Sequence, residues 1–406
     1  MTNAQPESPY AWARLAASLM LMTLGGVAMY GVVVVLPAVQ AEFGVARADA
    51  ALPYTLTMIG FGVGGILMGA LADRYGVIVP VLIGALGLGG GMVLAGMSQS
   101  IVQFALVHGV LAGLLGCSAT FAPLVADASL WFTRRRGIAV AIVISGNYLA
   151  GAVWPPVLQH LFDRAGWRAT YIGVGLFCIA VMLPLALVLR RRPPAIAPSV
   201  SAAAAAVAAR PLGMSPNALT TLLSIAGVAC CVAMSMPQVH IVAYCGDLGF
   251  GAQRGAEMLS LMLGFGIVSR LASGWISDRI GGLRTLLLGS ALQGVALALF
   301  LPFNGLVSLY VVSALFGLFQ GGLVPAYAII VRELFSPREA GTRVAIILMA
   351  TLFGMAFGGW VSGAIFDASG SYRAAFVNGI GWNLVNMSIA FWLLRRSWRR
   401  SALAPA

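Results

Sequence analysis

Residues 258–282 read MLSLMLGFGIVSRLASGWISDRIGG. The stretch is apolar and long enough to cross a bilayer, yet Arg270 sits inside it. Arg270 lies eight residues before Asp278, at the end of the run. At helical rise that is about 12 Å, well inside a hydrocarbon core about 30 Å thick. A guanidinium keeps its proton there. It therefore needs a negative partner, a water-filled cavity, or both. Two readings stand side by side: a charge that binds a ligand, and a structural ion pair with a neighbouring helix.

The whole chain shares this apolar character. Of its 406 residues 60% are hydrophobic and only 9% charged, and the mean hydropathy is +0.94. That excludes an ordinary soluble globular protein. The apolar runs are continuous and not alternating, which excludes a transmembrane barrel and indicates an all-α polytopic membrane protein. The net charge is +12, and all 24 basic residues are arginine. They fall mainly in loops on one side of the predicted topology, so the basicity reads as the positive-inside bias and not as nucleic-acid binding. The five cysteines, Cys117, Cys178, Cys230, Cys231 and Cys245, show neither disulfide nor metal spacing. No metal and no cofactor are expected, and no cleaved signal peptide is read at the N-terminus.

Hydropathy predicts twelve spans, near 14–39, 52–73, 76–97, 102–132, 137–162, 168–189, 216–244, 258–278, 283–302, 306–332, 341–366 and 374–394. They divide into a six-helix bundle at 14–189 and a second at 216–394. A Pro-broken, Ala-rich linker at 190–215 joins them, with an N-terminal tail at 1–13 and a C-terminal tail at 395–406. With both termini in the cytoplasm, eighteen arginines lie inside and five outside, which sets the orientation.

The two halves repeat. GALADRYG at 69–76 corresponds to SGWISDRIG at 273–281, with Asp73 and Asp278 205 residues apart. Asp127 and Glu333 end the fourth and tenth spans at offset 206, and GIAVAI from Gly137 matches GTRVAI from Gly341 at offset 204. Such parallel repeats mark a transporter architecture with its substrate site near the bilayer midplane. At offset 205 the partner of Arg270 is Gly65. A charge present in one half only favours ligand duty over architecture.

The turn residues Asp73 and Arg74, with Asp127, are expected to form a cytoplasmic charge cluster that latches a gate. Asp278, Arg279 and Glu333 are expected to do the same in the second half. Polar residues able to face a substrate are Tyr30, His108, Asn147, Tyr148, Gln320 and Tyr327, each with the alternative of an interhelical hydrogen bond. His240 and Asp247, seven residues apart and thus able to share a helix face, are candidates for proton coupling. Phe61, Met58, Phe353 and Trp154 are candidate apolar wall residues.

The repeated GxxxDRxG loop resembles the signature of the major facilitator superfamily. Further stretches resemble its monocarboxylate-transporter branch and the bacterial oxalate–formate exchangers. These are Trp131-Phe132 before Arg135-Arg136-Gly137, Pro155-Pro156, Gly166-Trp167-Arg168, His240 with Tyr244 and Asp247, Arg270 before Gly274 and Asp278, and Phe366-Asp367 before Ser371-Tyr372. The resemblance implies a twelve-helix fold in two pseudo-symmetric six-helix halves, and an eighth-span arginine that binds the substrate carboxylate. The chain departs from it in having Gly266 where the animal carriers have an aspartate, and in having no lysine.

The expected function is secondary transport of a small organic monocarboxylate anion, with a proton or a counter-anion as the coupled partner, through alternating access. The alternatives are an efflux pump for amphipathic drugs on the same fold, or a dicarboxylate exchanger. No nucleophile–base pair or metalloprotease spacing suggests an enzyme. The expected setting is the cytoplasmic membrane of a bacterium, with a monomeric functional unit in the lipid bilayer.

Overall fold

The computed structural model describes residues 7–132, 135–191 and 211–401. Its regular structure is helical throughout, with no strand among the described residues. The helices are α1 (Pro9–Gly25), α2 (Val27–Phe43), α3 (Arg47–Tyr75), α4 (Ile78–Gly96), α5 (Ile101–Val107), α6 (Ala122–Trp131), α7 (Arg136–Ala165) and α8 (Trp167–Leu187). The second half carries α9 (Pro216–Asp247), α10 (Ala252–Ile280), α11 (Gly282–Leu299), α12 (Leu306–Gln320), α13 (Leu323–Leu334), α14 (Pro337–Ser369) and α15 (Tyr372–Ser401). Among the described residues eleven helical stretches are long and apolar enough to cross a membrane. The twelfth expected span lies in α15, whose Asn378, Asn383 and Asn386 lower its apolarity below the other eleven. The chain is a multi-pass helical membrane protein.

Several expected boundaries shift. The first span starts at Pro9, with Ser8 as its N-cap, and so takes up part of the predicted tail. The C-terminal tail is helical as far as Ser401. Of the predicted linker, 192–210 lies outside the described residues, as do 1–6, 133–134 and 402–406.

Three spans are interrupted part-way along their length, where hydropathy gives no hint. The first breaks at Gly26, between α1 and α2. Backbone carbonyls freed near that break need partners in a dry interior. Trp154 Nε1 donates to the Thr23 carbonyl at 2.8 Å, and the Cys117 thiol donates to that of Gly25 at 3.3 Å. The fourth span passes through a π-helical stretch, His108–Cys117, before α6. The tenth breaks at Gly321-Gly322, between α12 and α13.

The two DRxG turns have the same backbone conformation. Gly76 has φ 86° and ψ 162°, and Gly281 has φ 83° and ψ 162°. Each amide closes its preceding helix at 2.8 Å, Gly76 onto Ala72 and Gly281 onto Ser277. This region of conformational space is nearly closed to residues with a Cβ, which accounts for the glycine in both copies.

The chain packs as two compact units, Met1–Pro198 with Ile241–Ser260, and Ser199–His240 with Leu261–Ala406. In the first, α4 lies on α8, α3 on the π-helical stretch, and α1 on α7. In the second, α11 is flanked by α12, α13 and α15. Segment 241–260, expected in the second bundle, therefore packs with the first unit. Arg47 of α3 pairs with Asp247 at 3.1 Å, and the Ser260 hydroxyl donates to the Ala152 carbonyl.

Candidate functional site

The site is built on the second unit. Its α10 presents Arg270, half-buried, to the break in the tenth span. Arg270 Nε–H donates to the Gly321 carbonyl at 3.4 Å. The close approach of these helices depends on missing side chains. A Cβ on Gly321 would collide with the Gly266 carbonyl, and one on Gly322 with the Ser273 side chain. Gly266 is thus a contact point between α10 and the break.

Gln320, next to Gly321, is fully buried. Its Oε1 accepts a hydrogen bond from Gln238 Nε2 at 2.9 Å, while its own Nε2 has no partner among the described residues. Gln238 was not foreseen from the sequence. It follows Pro237, which interrupts the hydrogen-bond ladder of α9, and an amide beside an intramembrane proline was the available signal. Arg270, Gln320 and Gln238 place polar groups on spans eight, ten and seven, at or beside places where the backbone is irregular.

Tyr327 does not join them. Its hydroxyl donates to Asn386 Oδ1 at 2.8 Å, and Asn386 Nδ2 in turn donates to Ser290 Oγ at 2.7 Å. These bonds tie α13 to α15 and α11, the interhelical alternative to the substrate role expected for Tyr327. His240 is fully buried, with Nε2 at 2.8 Å from the Gly359 carbonyl and Nδ1 at 3.1 Å from the Tyr372 hydroxyl. A carbonyl only accepts, so Nε2 carries a proton. The Tyr372 hydroxyl can donate to Nδ1 of a neutral ring or accept from a charged one, so both contacts survive a change of protonation. Asp247 engages Arg47 instead, so the shared helix face expected of His240 and Asp247 does not give them shared partners.

In the first unit the predicted Tyr30 and Asn147 come together, the Tyr30 hydroxyl donating to Asn147 Oδ1 at 3.0 Å. Asn147 also lines a small void with Met22, Met29, Phe61 and Phe121. Tyr148 is buried on α7, and Met58 on α3. His108 opens the π-helical stretch, sealed from solvent against Phe104 and Tyr171. Neither ring nitrogen has a hydrogen-bond partner among the described residues. His108 thus lies in an aromatic packing environment. Of the predicted wall residues Trp154 is committed to the first-span break, and Phe353 is exposed.

The predicted cytoplasmic clusters also rearrange. Asp127 does not meet Asp73 and Arg74. It forms a bidentate pair with Arg14, Nε to Oδ2 and Nη2 to Oδ1, each at 2.7 Å. Arg14 Nη1 also donates to the Arg191 carbonyl at 3.1 Å, and its guanidinium lies 4.8 Å from the Trp131 ring centre. Asp73 and Arg74 are exposed, and no ion pair joins them to Asp127 among the described residues. In the second half Glu333 accepts from the Gly282 amide through both oxygens, at 3.0 and 3.1 Å, capping α11. Asp278 is exposed, and Arg279 lies over the Trp275 ring at 3.7 Å. The acids at offset 206 thus do different work. No group of three or more His, Cys, Asp or Glu among the described residues is placed to hold a metal ion.

A helical bundle that crosses the membrane many times, with repeated halves and an arginine at depth, defines a membrane transporter of the twelve-span type. The chain belongs to the major facilitator superfamily: the model of the Major Facilitator Superfamily matches residues 17–308 and 258–405. It is 29% identical over 325 residues to "Monocarboxylate transporter 13" of Bos taurus, covering 76% of this chain and 71% of that one. It is 25% identical over 387 residues to "Monocarboxylate transporter 11" of Mus musculus, covering 92% and 85%. A fungal relative, "MFS-type transporter pynF" of Aspergillus niger, is 23% identical over 350 residues, covering 83% of this chain and 78% of its own length. Among solved structures, a bacterial homologue of the human lysosomal transporter Spinster has a TM-score of 0.76 at 16% identity, covering 96% of this chain and 98% of that one. That likeness concerns the fold. The chain is thus a membrane transporter of the major facilitator superfamily and not an enzyme.

Proposed function

We propose that this transporter carries small organic monocarboxylate anions, by proton symport or anion exchange through alternating access. The observation that carries the reading is Arg270, an obligate cation deep in the eighth span, set beside a broken tenth span. A guanidinium offers a carboxylate two parallel charge-assisted hydrogen bonds and so fixes its orientation. Binding also neutralises a charge that is costly to move through hydrocarbon. One such cation suits one carboxylate; a second carboxylate, left without a partner, would be costly to desolvate. That disfavours a dicarboxylate. The names of the animal relatives support the same substrate class.

The proton candidates are His240 and Asp247. His240 has the better surroundings, since both its partners serve either protonation state. The membrane we propose is the cytoplasmic membrane, with both termini inside, from the arginine distribution. The efflux reading draws support from fungal relatives, one of them named "Agnestins efflux protein AgnL12". Purified protein in liposomes, offered labelled acetate, propionate, lactate, pyruvate and oxalate with and without a pH gradient, tests these readings together. Uptake or counterflow of the monocarboxylates is the expected result. Failure of all of them, with transport of a lipophilic dye instead, would replace this reading with the efflux one.

A further inference from the structure

We infer that Gln238, held by Gln320, is a specificity-determining residue of this site, hydrogen-bonding an oxygen on the carbon next to the substrate's carboxylate. The inference rests on the carboxylate reading of Arg270 and adds a residue to it. Three observations carry it.

The first is placement. Gly321 gives its carbonyl to Arg270 Nε–H, and the residue before it, Gln320, gives its side-chain oxygen to Gln238. The two contacts come from successive residues at one helix break, one through the Gly321 backbone carbonyl and one through the Gln320 side chain. The break itself, and Pro237 immediately before Gln238, are irregularities of a kind tolerated at membrane depth only when buried in protein or facing a water-filled space.

The second is an unbalanced hydrogen-bond ledger. Gln320 is fully buried and uses its oxygen, but its Nε2 has no acceptor among the described residues. A buried amide left half-used is destabilising. A purely structural glutamine pair would be expected to close both ends. This pair stays open at its Gln320 end, so it is not closed on itself as a structural pair would be.

The third is the division of labour between the two amides. Gln238 is half-buried while Gln320 is sealed. Gln320 is therefore the positioning residue and Gln238 the one available to a ligand. An amide can donate or accept, so it serves a keto oxygen and a hydroxyl equally. A carboxylate held by Arg270 has its neighbouring carbon as the next point of recognition. Sites that hydrogen-bond a substrate oxygen discriminate strongly against analogues lacking it.

The test uses the full chain in liposomes and three probes of similar size: propionate, lactate and pyruvate. Half-saturation is measured for the wild type, for Gln238→Met and for Gln320→Met. Methionine keeps the length of the side chain and removes the amide. We expect Gln238→Met to weaken lactate and pyruvate about tenfold, the worth of one neutral hydrogen bond, and to leave propionate within about twofold. Gln320→Met should shift the same ratio in the same direction, less strongly. Unchanged propionate transport in the variants shows that fold and Arg270 are intact. Equal weakening of all three probes, or of none, overturns the assignment of Gln238 while leaving Arg270 in place. A wild type that takes none of the three overturns the carboxylate reading, and this inference with it.

Discussion

Arg14 and Asp127 are joined by two parallel hydrogen bonds, each 2.7 Å long, and their side chains are only 2% and 5% exposed. Removing one member of such a pair leaves the other charge buried and uncompensated, at a cost of about 3–5 kcal/mol. We therefore expect Asp127→Asn and Arg14→Met each to destabilise the protein strongly. The double variant Arg14→Met with Asp127→Leu should recover much of the loss. Thermal unfolding in detergent measures this. Additive losses in the double variant would show that the pair does not act as a unit.

Glu333 stands at the repeat position of Asp127 but caps α11. A carboxylate at a helix N-terminus is worth about 0.3–1 kcal/mol through the helix dipole. Glu333→Gln, which keeps the shape and drops the charge, should therefore lower thermal stability far less than Asp127→Asn. Equal shifts in melting temperature would mean that the two acids are equivalent latches after all.

Arg270→Lys keeps the charge and loses the planar fork. Carboxylate uptake is expected to fall by at least about tenfold, the loss of one charge-assisted hydrogen bond. Arg270→Ala should abolish carboxylate binding with little change in melting temperature. Scintillation proximity binding in detergent separates affinity from turnover. Unchanged affinity in Arg270→Ala would remove this residue from the site.

The Arg47–Asp247 contact, at 3.1 Å, ties the start of α3 to the end of α9. If Asp247 serves that tie, Asp247→Asn and Arg47→Gln should impair proton-driven uptake and anion exchange alike. Exchanging the two residues, with Arg47→Asp and Asp247→Arg together, should restore both. His240→Gln is expected to impair proton-driven uptake selectively. A charge swap that recovers exchange but not proton-driven uptake would return the proton to Asp247.

Much of this was legible in the sequence. The spans, the repeat, the DRxG turns and the depth of Arg270 are all recorded by apolar runs and by spacing. Partnerships were harder to read. Arg14 counts as a cytoplasmic arginine by position, but its burial depends on Asp127, 113 residues away. The repeat points Asp127 toward Asp73 and Arg74, because a linear pattern does not show which helices pack side by side. Tyr327 has the depth of a substrate residue, yet its hydroxyl is turned to Asn386. The helix breaks escaped notice because glycine hardly lowers hydropathy. Gln238 escaped because one uncharged amide barely disturbs an apolar run, and its meaning came only with Gln320 across from it.

The matched bends at Gly76 and Gly281 show how little such a corner depends on its neighbours. Their surroundings differ: Glu333 Oε1 lies 3.7 Å from where a Cβ on Gly281 would stand, whereas nothing lies within 4 Å of the equivalent point on Gly76. The corner is nevertheless the same to within 3° in φ. Its shape is thus a property of the short segment that makes it and does not depend on what lies beside it. The residues near each copy can therefore hold separate trades, one acid a buried counter-ion and the other a helix cap, while the corner itself stays the same.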